Sequence, residues 1–439
     1  MPTSLEARLE GALADSPLRA RLATAAAPLV ERRSGDSAVQ ALDGASLRGV
    51  ARAIAASPES ARYLSLRPTL LARLTALEPG SLERRAAQLA SLELPNPADS
   101  REEFLDALRL LRRDEMLFAA CAQLGGLASF DAVAVFLSQV AETCAQRAVA
   151  AVEGRARGEP FVIAVLGMGK LAGREFTYHS DLDVIFLFRD DLPDALPPSR
   201  IAQRWISTLA TMTGAGYAYH VDSRLRPSGQ QGALVTTYEA FARYQVEQAA
   251  TWEHVALLRA RAVAGDVERA QASLEAVRER IGREAANPWR YLADMRGRVV
   301  AERGTEDAKT AALKTGRGGI MDVEFLAAGA LLERGMQLRG SSLPAVPAML
   351  RAAVQGPAVE ALLLDYAFLR RVEACARWLA GRAVESIAKT GEQAEWLADL
   401  VAPGQPQARV TRQLAAARER IAQAFERVSA KQTIDALAP

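Results

Sequence analysis

Two aspartates one residue apart, Asp181-Leu182-Asp183, open the apolar run "LDVIFLF". On a strand, residues i and i+2 face the same side. Asp181 and Asp183 are therefore predicted to project together. Paired carboxylates repel and raise a pKa unless something compensates them. A divalent cation is the simplest compensation: Mg2+ takes oxygen ligands, usually one or two carboxylates plus substrate phosphates. Just upstream, Gly167-x-Gly169 and Gly173 follow another apolar run, "FVIAVLG". A glycine turn lets backbone N–H groups approach phosphate oxygens. The pair beside such a turn reads as a metal–nucleotide site.

Asp222 lies in a third strand-like run, "YAYHVDSRLRP", where a charge is expensive unless partnered. Beside Asp181 and Asp183 it completes a three-carboxylate cluster able to hold two metal ions, one activating an attacking hydroxyl and one neutralising a leaving pyrophosphate. The alternative is a solvated strand end. Lys170 and Ser180 flank the turn and the aspartates. Either they contact phosphate, or they are a solvated lysine and a turn-capping serine. Arg224 and Arg226 share the face of Asp222 by strand parity. They could clamp triphosphate oxygens or form structural ion pairs with the cluster. Glu175 could fix the turn or pair with Lys170. His179, His220 and His254 have no nearby cysteine and no zinc-like spacing; a structural role outweighs general-base work by His220 or His254. Trp252 is expected in the core, or as a surface on which adenine stacks.

A dinucleotide fingerprint does not fit. It needs a long crossover helix after its glycines, and only residues 170–180 separate the turn from the next strand. Lys170 is followed by Leu171, which excludes a P-loop.

The elements that must position these residues follow from periodicity. Residues 1–155 show apolar positions every three or four residues, as in "FLDALRLLRRDEMLFAACAQL", the pattern of amphipathic helices. Ser57-Pro58, Arg67-Pro68 and "ELPNPADS" supply stops and starts. Residues 156–265 open as strand, turn, strand, helix, strand, an α/β unit, and return to helical periodicity in "TTYEAFARYQVEQAATWEHVALLRARAVAGD". Residues 266–439 are read as a helical bundle broken by "KTGRGGIMDVEF", in which Asp322 could cap the following helix and Lys314 and Arg317 could reach phosphate or a protein substrate. The tail "RVSAKQTIDALAP" is expected to fray. The fold class is thus mainly α with a central α/β unit and helical domains on both sides. The helical flanks are expected to present a partner protein rather than perform chemistry.

With 439 residues, half of them hydrophobic, the chain can bury a large core. A formal net charge of +2 and the lack of a long basic block give no reason to expect a nucleic-acid partner. No uncharged apolar run reaches the roughly 18–20 residues that span a bilayer, so no membrane association is expected. Cys121, Cys144 and Cys375 fall in helical patterns and read as buried thiols of a reducing compartment. No secretory signal opens the sequence, and a cytoplasmic location is expected.

The glycine turn, Asp181-x-Asp183 and the later strand aspartate resemble the nucleotidyltransferase fold shared with DNA polymerase beta. Four longer blocks, "GMGKLAGREFTYHSDLDVIF", "VDSRLRPSGQQGALVT", "TWEHVALLRARAVAGD" and "LKTGRGGIMDVEFLA", resemble the glutamine synthetase adenylyltransferase family. "DYAFLRRVEACARWLAG" is similar to the helical region that follows the catalytic unit there. The resemblance implies a fold of the polymerase-beta type, ATP as substrate, Mg2+ (or Mn2+) on Asp181, Asp183 and Asp222, and nucleotide binding by Gly167, Gly169, Lys170, Ser180, Arg224 and Arg226. It implies glutamine synthetase as protein substrate and a PII-type signalling protein as a further partner. That family usually carries two modules, one adding AMP to a tyrosine and one removing it by phosphorolysis. One module is visible here. "SDLD", "RLRPSG", "LVT" and "TWEH" lean to the adding module, whereas "GMGK" is common in the removing one. Ala172 stands where the family typically has glycine. Phosphorolytic removal of AMP, and a non-catalytic helical module with a vestigial nucleotide site, are the alternatives.

Overall fold

The computed structural model describes residues 4–154, 159–192, 196–284, 287–335 and 343–437. The expected boundary between the first two segments, at 155/156, lies outside the described residues. The architecture is mostly helical around a small mixed sheet. Helix breaks follow the punctuation in the sequence. One helix ends at Ala56 before Ser57-Pro58, another starts at Pro68, and Ser100 accepts a hydrogen bond from the Glu103 N–H to cap Arg101–Leu124.

The sheet has β1 (Ile163–Met168), β2 (Leu182–Phe188), β3 (Val221–Asp222), β4 (Val235–Thr237) and β5 (Ala260–Gly265). Its order is β3-β2-β1-β5. β1 runs antiparallel to both β2 and β5, while β3 and β4 pair in parallel with β2, at its start and its end respectively. All six residues of β1 are buried. This explains its uninterrupted apolar run, as expected of a strand covered on both faces. The helix Phe130–Glu153 packs on the neighbouring β5, and its last residue, Glu153, fixes the entry to β1 by accepting the N–H groups of Val162 and Ile163 at 2.8 and 3.0 Å. The helix Pro198–Ala210 lies on β2 through Trp205, whose ring meets Phe186 edge-on at 5.3 Å and whose Nε1–H donates to Ala145 O at 2.9 Å.

The short strand β4 and a two-stranded sheet, Thr310–Ala311 with Ile387–Ala388, were not anticipated in the sequence, and three further elements differ from the sequence reading. The third strand is two residues long, because Ser223 turns the chain out of the sheet. "ARAVAG" is strand β5 rather than helix: its small side chains are buried against β1. As far as Leu437 the tail does not fray, and its last two residues lie outside the described ones. Glu333 accepts Trp289 Nε1–H, Thr433 Oγ1–H and Ile434 N–H at 2.5, 2.7 and 2.7 Å, and Ile434 and Leu437 are buried.

The C-terminal segment closes on the sheet through the long helix Pro357–Ala380. Its Trp378 meets Tyr178 edge-on at 5.0 Å and donates from Nε1 to Ala53 O at 3.3 Å. One helix thereby touches both the glycine-turn region and the N-terminal helices. The three cysteines are buried and free. Among the described residues no helix is long and apolar enough to cross a membrane.

Replacing Glu333 with Ala removes the acceptor for three buried donors. We expect a loss of roughly 1–3 kcal/mol in urea denaturation and faster tryptic cleavage at Lys431, with the helix content unchanged.

Candidate active site

The register of the sheet places the acidic residues. β2 and β3 pair Leu182 with Val221 and Asp183 with Asp222, so those two carboxylates stand on adjacent strands at the same level. Asp181 precedes Leu182, is exposed, and lines the same cleft of about 750 Å³. Burial raises the Asp183 carboxyl to about 6; Lys314 opposes the rise, and Asp222 and Asp181 add to it. The three aspartates of the sequence reading are thus brought to one cleft. Among the described residues no three His, Cys, Asp or Glu side chains converge closely enough to hold an ion as they stand. Asp222 is itself occupied. Its carboxylate accepts Arg224 Nε–H at 2.8 Å, the Arg224 N–H at 2.9 Å and a further guanidinium contact, and these hold its pKa down.

Arg224 therefore sits on Asp222 because the chain turns there, and strand parity does not reach it. Arg226 holds the following loop, donating to Ser223 O at 2.8 Å and Gly232 O at 3.2 Å. Ser180 caps the turn before β2, accepting the Thr177 N–H at 3.1 Å, and it also receives Arg377 Nη1 at 3.4 Å.

The glycine turn supplies shape more than donors. Gly169 has φ +54°, which favours glycine, but its N–H is used by Arg259 O at 2.7 Å. A Cβ on Gly167 would lie 2.9 Å from Leu171 and Val263 side-chain atoms, so that glycine serves packing. Lys170 donates to Glu373 of the helix Pro357–Ala380. Burial draws its ammonium down to about 7 against the pull of Glu373, with Arg370, Arg377 and Lys314 adding to the fall. Burial opposes ionisation of Glu373, but Lys170, Arg370 and Arg377 outweigh it and hold the carboxyl far below its usual range. Glu175 does not pair with Lys170; it accepts Arg259 at 2.6 Å and Tyr366 Oη–H at 3.1 Å.

Of the other candidates, His220 lines an adjoining cleft with Asp181, Asp222 and Arg224; most of the rest lie outside both. His254 is 2.8 Å from Gln245 O, Glu253 is tied to Tyr244 Oη at 3.0 Å, and His220 stacks on Tyr217. Burial, with Arg112 and Arg377 nearby, lowers His179 to about 3, so it is neutral. Trp252 is 39% exposed and not in the core. Asp322 is inside its helix and not at the N-cap, and Arg317 pairs with Glu419 and Glu426. Lys314, by contrast, lines the cleft.

The sequence reading missed the opposite wall. Arg259, Arg303, Arg377 and Arg382 also line the cleft, with seven cationic side chains in all against five carboxylates, a balance that suits a polyanion. Arg259 and Arg377 each keep a buried Nε–H without an acceptor. One signal was available: Arg370, Glu373 and Arg377 are spaced i, i+3, i+7 and share a helix face.

The family profile described as glutamate–ammonia ligase adenylyltransferase matches residues 47–277, more than half of the chain and all five strands of the sheet. The chain belongs to this family. A second profile, described as GlnD PII-uridylyltransferase, matches residues 290–429. Curated relatives are each named "Bifunctional glutamine synthetase adenylyltransferase/adenylyl-removing enzyme". The one from Thioalkalivibrio sulfidiphilus is 37% identical over 303 residues, 62% of this chain and 31% of its own length. The one from Aromatoleum aromaticum is 37% identical over 298 residues, 64% and 31%. That from Bordetella bronchiseptica is 37% identical over 316 residues, 68% and 33%. The chain spans about a third of the length of these relatives. The helical fold with its small mixed sheet agrees with the nucleotidyltransferase core that the resemblance implied.

The raised Asp183 carboxyl has a consequence for stability. With a folded pKa near 6 and an unfolded one near 3.8, its ionisation disfavours the folded state. The penalty is absent below pH 4, grows between pH 4 and 6, and is complete above, at roughly 2–3 kcal/mol. Asp183→Asn should raise the thermal midpoint at pH 7.5 in metal-free buffer, and the gain should vanish as pH falls to 4. A variant no more stable than wild type at pH 7.5 contradicts this.

Proposed function

We propose that this chain transfers AMP from ATP to a tyrosine hydroxyl of glutamine synthetase. The observation that carries the reading is the pairing of Asp183 with Asp222 across β2 and β3, with Asp181 beside them, at the edge of a cation-lined cleft in a chain of the adenylyltransferase family. In the reaction the tyrosine oxygen bonds to the α-phosphorus, the α-phosphorus–oxygen bond to pyrophosphate breaks, and the hydroxyl proton is released. Negative charge builds on the pyrophosphate side, and a preorganised cationic wall stabilises that charge without reorganising.

Asp181, Asp183 and Asp222 fit a divalent cation, Mg2+ or Mn2+, by donor type. The raised Asp183 carboxyl, caused chiefly by burial with Asp222 and Asp181 adding to it, supports this, and Arg224 must leave Asp222 for the third ligand to be free. When bound, such an ion supplies activation of the hydroxyl and neutralisation of phosphate charge. The residues of the chain hold the turn against β5, keep Asp183 ionisable and set the cationic wall opposite it.

Removal of AMP by phosphorolysis, in which phosphate oxygen bonds to the α-phosphorus and the tyrosine oxygen leaves with a proton to give ADP, would use the same groups and is the second reading, since the relatives carry both activities in their names. Wording such as "SDLD" and "TWEH" favours addition. The test is incubation with α-labelled ATP, Mg2+ and glutamine synthetase. Label should move to glutamine synthetase with wild type and fall at least 100-fold, about 2.7 kcal/mol of barrier, with Asp183→Ala. ADP release from adenylylated glutamine synthetase and phosphate, without label transfer in the forward assay, would replace addition with removal.

A further inference from the structure

The loop at residues 314–319 is held from every side. Arg296, buried, donates to Thr315 O at 2.8 Å and Gly316 O at 2.6 Å, and its Nε–H reaches Asp322. Asp322 in turn accepts the Gly318 N–H at 2.6 Å. Thr315 Oγ1–H donates to Arg303 O at 2.6 Å, and the Lys314 carbonyl accepts the Met321 N–H at 3.1 Å. Gly318 has φ +69°, and a Cβ there would fall 1.9 Å from Arg418 O. Most of the loop is buried or bonded into the C-terminal bundle. Lys314 is the exception. Its backbone is fixed, its side chain is half-buried and lines the cleft, and among the described residues no carboxylate lies within 4 Å of its ammonium. Its nearest acidic influences are Asp183 and Glu324, and Glu324 is already paired with Arg259 at 2.6 Å. The other lysine of the cleft, Lys170, is committed to Glu373.

The segment's second likeness says what such a cation could serve. Residues 290–429, which carry Arg303, Lys314, Arg377 and Arg382, match a family described as a uridylyltransferase, whereas the sheet matches one described as an adenylyltransferase. Adenylyl and uridylyl transfer differ in base and in protein acceptor. They share the triphosphate chain and the pyrophosphate that leaves.

We propose that Lys314 binds the triphosphate of the nucleotide, and that the C-terminal helical segment forms the phosphate-holding jaw of the active site. This rests on the nucleotidyl-transfer reading above and replaces the expectation that the helical flanks only present the partner protein. A fixed backbone holds, in the same cleft as the aspartates, one ammonium that makes no ion pair among the described residues. The charge that collects on the departing pyrophosphate, as the α-phosphorus–oxygen bond breaks, then meets a cation fixed in advance.

The test uses the full chain and binding calorimetry with ATP, and with adenosine as a probe lacking phosphate, both with Mg2+ present. Lys314→Met and Lys314→Gln should weaken ATP binding about 10- to 100-fold and leave adenosine binding unchanged. Lys314→Arg should stay within a few-fold of wild type. Arg317→Met, on the same loop but paired outside the cleft with Glu419 and Glu426, should bind ATP as wild type does. Thermal unfolding should show the Lys314 variants folded, with Lys314→Met and Lys314→Gln somewhat less stable than wild type at pH 7.5, because Lys314 opposes the raised Asp183 carboxyl. Folded Lys314→Met that binds ATP as tightly as wild type overturns the inference and leaves the nucleotidyl-transfer reading standing. An equal loss for ATP and adenosine also overturns it. Wild type that binds no ATP removes the functional reading, and the inference with it.

Discussion

Like charges held side by side are the constraint from which the rest follows. Asp183 faces Asp222 across a parallel strand pair, with Asp181 one residue away on the same edge. Unrelieved, that arrangement works against folding, and burial sharpens it at Asp183. The protein relieves it by two means. Arg224 neutralises Asp222 locally, and a cationic wall built from the C-terminal segment lowers the field across the cleft. The wall in turn needs anions of its own to stay buried. Glu373 gathers Lys170, Arg370 and Arg377, and Glu175 and Glu324 hold Arg259. A large share of the buried ionic contacts in this part of the molecule is compensation for three carboxylates.

Much of this was legible in the sequence because it depends on short-range order. The buried run "FVIAVLG", the aspartates on one strand edge and the helix stops at Ser57-Pro58 and Arg67-Pro68 are set by local residue types. What was not legible depended on partners far along the chain. "ARAVAG" has small residues compatible with either helix or strand, and its pairing with β1, nearly a hundred residues earlier, decides the matter. The parity argument for Arg224 and Arg226 assumed a longer strand than the two residues that form. Lys170 looked like a phosphate ligand because its neighbour in space, Glu373, lies some two hundred residues away. The tail looked free because its anchor, Glu333, sits on another helix.

The two profile matches meet within one cleft. The adenylyltransferase match covers the sheet and its aspartates, and the uridylyltransferase match covers the loop and helices opposite. The three aspartates come from the first part, and four of the seven cations, together with Glu324 and Glu385, from the second. The first part alone carries three cations against three carboxylates, so the surplus of positive charge comes from the second.

Arg259 links the two. Its carbonyl accepts the Gly169 N–H, and its guanidinium, itself buried, bridges Glu175 beside the turn and Glu324 on the helix Ile320–Glu333. A single residue thus fixes the turn to the facing helix by both backbone and side chain. The gauge of the cleft is set by the length of one planar, pre-organised side chain. A shorter or non-planar side chain at Arg259 would change the separation of the turn from the facing helix.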